Sequence, residues 1–160
     1  MGSEELEDLM SKKKNKIRLS TGDIFSIDIG GGEFAFARVI AKDDLGDVIE
    51  VFNYFSHKKD DYDKAIQKER LHYPHIIDSY SIFFVGEEGF DIVKNGDGNF
   101  VPEDYSELKF KMGPKELPKF YYLDGRTEIS DGHNNPFPWY SPQSDFDIKR
   151  LITFWRNKNK

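Results

Sequence analysis

The chain has no cysteine among its 160 residues. That excludes disulfides, thiolate zinc sites, iron–sulfur clusters and a cysteine nucleophile. It suits a reducing compartment, and the cytoplasm is the expected location. Long apolar runs are missing as well. The longest cluster, Ile82-Phe83-Phe84-Val85, is four residues, far short of a membrane span. The opening MGSEELEDLMSKKKNK has no apolar core behind its charges, so it does not read as a signal peptide. An excess of positive charge is also absent. Lys and Arg number 23 against 29 Asp and Glu, a net charge of −6. That balance disfavours general affinity for nucleic acid, whose phosphates need a basic surface, and leaves room for a basic partner.

Motifs of common chemistry are missing too. Gly30-Gly31-Gly32 is followed by a strand pattern and by no Gly-Lys-Ser/Thr, so it reads as a hairpin turn and not as a phosphate loop. Asp91 to Pro102 approaches calcium-loop spacing, but Val93 and Pro102 stand where oxygen ligands are needed. There is no Gly-x-Ser-x-Gly. The four histidines are His57, His72, His75 and His133. Only His72 and His75 are close, with Asp78 near them, and they read as surface or packing residues. No metal, cofactor or catalytic residue is expected.

Aromatic residues are plentiful at 15%, which marks a chain that folds. Residues 1–16 are polar and read as a mobile N-terminal arm. Residues 17–160 read as a single α+β domain. In Asp23 to Ile29, Phe25, Ile27 and Ile29 share one face, the alternation of a half-buried strand. Glu33 to Ile40 follows as a second strand, with Phe34, Phe36, Arg38 and Ile40 in phase. Asp47 to Phe55 is a third, and together they form an antiparallel meander. A helix of two to three turns is expected after Asp60 or Asp61, with Tyr62, Ile66 and Leu71 inward, ending before Pro74. A fourth strand is expected over Ile76 to Val85 and a fifth over Phe90 to Val93. Pro102 opens a one-turn helix. Lys119 to Leu123 and Thr127 to Ile129 read as paired strands, and Asp131 to Pro142 as a loop. Ser144 and Asp147 form a capping signature for a final helix, with Phe146, Leu151, Ile152 and Trp155 as its buried stripe. The expected fold is α+β: a curved antiparallel sheet or partly open small β-barrel with two helices.

One charge distribution stands out. From Glu87 to Glu107, seven acids face only Lys94, so this segment holds −6 and the rest of the chain sums to zero. The segment reads either as a solvated face or as an acidic surface for a basic protein.

Gly22-Asp23-Ile24-Phe25-Ser26-Ile27 and Gly32-x-Phe34-x-Phe36-x-Arg38-Val39 lead into Val51-Phe52, and later come Phe90-x-Ile92 and Pro118-x-Phe120. This pattern resembles the immunity-protein family numbered twenty-six, from bacterial polymorphic toxin systems. Asp28 stands where that family usually has Pro, and Ala37 where it often has Gly. The resemblance implies a cytoplasmic protein without a reaction of its own, whose partner is a cognate toxin domain, with no membrane or direct nucleic-acid partner. Gly22, Asp23, Phe25, Gly32, Phe36 and Arg38 are then structural motif residues. Gly22 permits a tight strand entry, Asp23 accepts turn N–H bonds, and Arg38 is expected to pair with Asp28 across the hairpin. Glu87, Glu88, Asp91, Asp97, Glu103 and Asp104 are the candidate toxin-binding residues, and a nuclease toxin with a basic cleft would suit them. Two alternatives remain: a small barrel-type endoribonuclease, which the opening strand also resembles, and a binding module for a peptide or polymer that uses Trp139 and Tyr140.

Overall fold

The computed structural model describes residues 18–84 and 89–159. The expected arm, Glu87 and Glu88 lie outside the described residues. Among the described residues, eight strands form two antiparallel sheets. The larger holds β1 (Ile24–Gly30), β2 (Glu33–Asp43), β3 (Gly46–Val51), β4 (His75–Ile77) and β5 (Phe90–Lys94) in the order β4-β3-β2-β1-β5. It is an open sheet whose edges are β4 and β5, not a closed barrel. The smaller holds β6 (Lys109–Met112), β7 (Lys119–Tyr122) and β8 (Thr127–Ile129) in sequence order. Two α-helices are described, α1 (Tyr62–Ala65) and α2 (Asp145–Lys158). The class is α+β, as the sequence predicts.

Period-two patterning sets the faces of the large sheet. Phe25 and Ile27 of β1, Ala35, Ala37 and Val39 of β2, and Ile49 and Val51 of β3 are all buried in one cluster. Ile148 and Ile152 of α2 cover that face, with Ile82 and Phe83 beside them. The opposite face is buried as well. Phe36 and Phe52 pack there with Ala65 of α1. Ile40, Val48 and Ile76 pack there with Leu108 and Phe110, which ties the small sheet to the large one. Both faces covered explains why β2 and β3 read as nearly unbroken apolar runs.

Three elements depart from the sequence expectation. α1 is a single turn, because the Asp61 carboxylate does not cap it. That carboxylate accepts instead from the Tyr54 hydroxyl at 2.6 Å and the Ser56 hydroxyl at 2.9 Å. Residues 69–71 then run back beside β3, where Leu71 N–H donates to the Val51 carbonyl at 2.7 Å. The expected strand over 76–85 ends at Ile77, and a π-helical turn spans Tyr80–Phe84. Asp78 causes the break: it accepts from the Ser81 N–H at 3.2 Å and hydroxyl at 2.7 Å, local bonds that compete with a ladder. β6 was not foreseen.

α2 starts on the expected capping box between Ser144 and Asp147. Its buried residues are Ile148 and Ile152, while Phe146 of the expected stripe is 64% exposed. The stripe is rotated so that Phe146 and Phe154 face outward. Ile152→Ala should therefore cost about 3 kcal/mol through a core cavity, whereas Phe154→Ala should cost under about 0.5. Urea denaturation of the two variants measures this, and equal losses would contradict the packing.

Candidate functional site

Arg38 and Glu50 are direct cross-strand partners of β2 and β3, on the face that carries Phe36 and Ile40. The Glu50 carboxylate is buried and accepts from two arginines. Arg38 Nε donates to Oε2 at 2.8 Å, and Arg70 Nε donates to Oε1 at 3.0 Å. Arg70 continues the chain, with its two Nη groups donating to Asp104 at 2.6 and 3.0 Å in a bidentate pair. The Arg70 hydrogen bonds hold the Asp104 carboxyl below its usual range, against the opposing effect of partial burial. A buried carboxylate is tolerated only with such partners.

Above this chain of charges lies a cleft of about 590 Å³. Arg38, Glu50, Phe52 and Arg70 line it from the sheet side, and Phe100 to Asp104 line it from the loop after β5. The Arg38 guanidinium lies 4.1 Å from the Phe100 ring centre and 5.2 Å from that of Phe52. The expected partner of Arg38, Asp28, is wrong. The hairpin register sets Arg38 opposite Ile24 and Asp28 opposite Phe34, and the Asp28 carboxylate accepts from the Gly30 N–H.

The Gly22-Asp23 entry to β1 holds the loop that closes the cleft. Gly22 has φ +92°, a left-handed conformation suited to glycine. Asp23 is buried and accepts from the Ser20 N–H at 2.8 Å, as expected for a turn. It also accepts from the Gly96 N–H at 2.6 Å. A Cβ at Gly96 would lie 2.4 Å from the Gly22 carbonyl carbon, so the two backbones meet with no room for a side chain. Of the other motif residues, Phe25 and Phe36 are fully buried, and Gly32 turns the β1–β2 hairpin at φ +75°.

The candidate acidic residues are dispersed. Glu103 and Asp104 line the cleft. Asp91 stands on edge strand β5 and pairs with Lys59 at 2.5 Å. Asp97 is exposed and accepts from the Asn99 N–H. The sequence reading missed Glu50, Arg70 and Phe100. Glu50 carried a signal as the lone charge inside Val48-Ile49-Glu50-Val51-Phe52. Trp139 and Tyr140 differ in their surroundings. Tyr140 donates to Asp43 at 2.7 Å, and burial with that bond pushes its phenol up. Trp139 is 47% exposed, with His133 and Lys111 against its ring.

The family model described as Immunity protein 26 matches residues 20–104, just over half of the chain. The chain belongs to the immunity protein 26 family. It is thus an immunity protein of a toxin system. No curated protein and no solved structure matches it. The matched span contains Gly22 and Asp23, all of β1–β3, and every member of the Arg38–Glu50–Arg70–Asp104 chain, so the cleft is built wholly within the family region. The second sheet and α2 lie beyond that match.

Two predictions follow the charges of this immunity protein. Glu50→Gln leaves two guanidinium groups without their shared anion and should lower stability by about 3 kcal/mol in urea denaturation. A loss near zero would show that Glu50 is dispensable to the fold. The second concerns the histidines. His72 and His75 stack edge to face at 5.2 Å. Burial pushes the His72 ring down, and burial with the neighbouring His72 pushes His75 down from 6.5 to about 3. The native state thus holds His75 neutral, while the unfolded chain protonates it below pH 6.5. The resulting stability is complete above that pH and is lost as pH falls toward 3. His75→Gln should flatten the fall in urea midpoint over that window, and an unchanged slope would contradict it.

Proposed function

We propose that this immunity protein binds a cognate bacterial toxin domain and blocks its active site or substrate path, without a reaction of its own. Family membership over residues 20–104 is the observation that carries this reading. It favours binding over the endoribonuclease and polymer-module alternatives. The proposed toxin is a nuclease with a basic cleft, and the acidic segment from Glu87 to Glu107 supports that choice. Exposed acids speed association by long-range attraction, and they set partner choice more than raw affinity.

Within this proposal the acidic residues divide by role. Glu87, Glu88, Asp91, Asp97 and Glu103 supply the steering charge. Asp104, already bound by Arg70, holds the loop in place. The cell is the site of action, and the cytoplasm is the proposed location.

Co-expression with the toxin domain encoded beside it tests the reading directly: the chain should rescue growth and co-purify with that domain. Neutralising Asp91, Asp97 and Glu103 as Asn, Asn and Gln, together with Glu87→Gln and Glu88→Gln, should slow association about tenfold or more at low salt and flatten its salt dependence. Unchanged association kinetics across that set would overturn the acidic interface.

A further inference from the structure

The two arginines on Glu50 are held alike but finished differently. Each donates its Nε to one Glu50 oxygen. That leaves each guanidinium two Nη groups, a planar fork that matches the two oxygens of a carboxylate. The Arg70 fork is filled by Asp104 in a bidentate pair. The Arg38 fork meets no acceptor among the described residues, where Glu50 is its one ion partner. Arg38 lines the cleft beside Arg70.

The Arg38 fork is also fixed in place. Its Nε is bonded and its guanidinium lies over Phe100 and against Phe52. The side chain is 21% exposed and lines the cleft. A preorganised donor loses little rotamer freedom when it binds. A cleft of about 590 Å³ admits a partner side chain. Ile66 and Val101 stand exposed on its lining, an apolar surround of the kind that keeps water from a central polar contact.

We infer that the Arg38 fork is the socket for one carboxylate side chain, Asp or Glu, of the bound toxin domain. The inference rests on the proposed function above. Charge selects this group over a phosphate monoester, which carries close to two negative charges. Arg38, Arg70, Glu50 and Asp104 cancel one another, and Glu69 and Glu103 also line the cleft against Lys68. A dianion would face repulsion there, whereas a single planar carboxylate repeats at Arg38 what Asp104 does at Arg70. The toxin thus docks a basic surface on the outer acids and one anion in the cleft.

The test uses the full chain and the toxin domain encoded beside it, with affinity measured by calorimetry. Arg38→Gln removes fork and charge, while Arg38→Lys keeps the charge and the bond toward Glu50 but has no fork. Both should weaken binding by about 10- to 100-fold, as loss of hydrogen bonds to a charged group does. The losses should couple, in a double-mutant cycle, to one Asp or Glu of the toxin. Melting temperatures identify any variant that fails to fold. If Arg38→Gln does not fold, Arg38→Lys and the toxin-side Asp→Asn and Glu→Gln variants decide. Wild-type binding with full affinity retained in Arg38→Lys overturns the socket and leaves the proposed function standing. The same holds if no toxin carboxylate couples to Arg38. Failure of the wild-type chain to bind the toxin overturns both.

Discussion

A carboxylate buried in the sheet organises this face of the molecule. Glu50 lies among Val48, Phe36 and Phe52 with 5% of its surface exposed, an environment that would expel an unpaired charge. Two guanidinium groups, from β2 and from the segment after α1, make it tolerable. Because each arginine carries further contacts, the compensation spreads. Arg70 reaches Asp104, and Arg38 stacks on Phe100. The segment after α1, already bonded to β3 through Leu71, and the loop after β5 are thereby joined over one buried anion. The same requirement that stabilises the fold thus builds the floor and one wall of the cleft.

The loop after β5 needs a second attachment, and the backbone supplies it. Asp23 holds the Gly96 N–H, and the Thr21 carbonyl accepts from the Gly98 N–H at 3.1 Å. Gly22 and Gly96 let the chains approach where any Cβ at Gly96 would collide with backbone. The loop is thus pinned at its start by the entry to β1 and at its end by Arg70. Motif residues with purely structural roles, Gly22 and Asp23, position Phe100 and Asp104, which line the candidate site.

The strands β1–β3 were legible because alternation of apolar residues and glycine or aspartate turns act locally. The capping box of α2 was legible for the same reason. The failures arise where a side chain has a nonlocal use. Asp61 reads as a helix cap, yet Tyr54 and Ser56 claim its carboxylate and α1 stops after one turn. β6 has one buried side chain, Phe110, and its lysines stack on aromatics, with Lys109 at 4.2 Å from the Phe120 ring centre. Its alternation was therefore weak. Arg38 was phased correctly onto the Phe36 and Ile40 face, but its partner comes from β3 and not β1. Nothing local links Arg70 to Asp104, which are 34 residues apart. The cleft is therefore invisible in the sequence even though Arg38, Glu103 and Asp104 of its lining stand out there.

The charge arithmetic changes meaning once the pairs are known. Seven acids between Glu87 and Glu107 face one lysine in sequence, but Asp91 is matched by Lys59 and Asp104 by Arg70, both from outside the segment. The pairs differ in kind. Asp91 and Lys59 are each about half exposed, so solvent and salt screen them and they open readily to a partner. Asp104 is held by a bidentate bond whose other end is tied to a buried carboxylate, so releasing it would unseat the loop. A charge that steers a partner must be free to re-pair, and a charge that shapes a cleft must not be. Within one acidic segment the structure holds both an exposed, screened pair and a locked one, and the difference lies in which cation each acid meets.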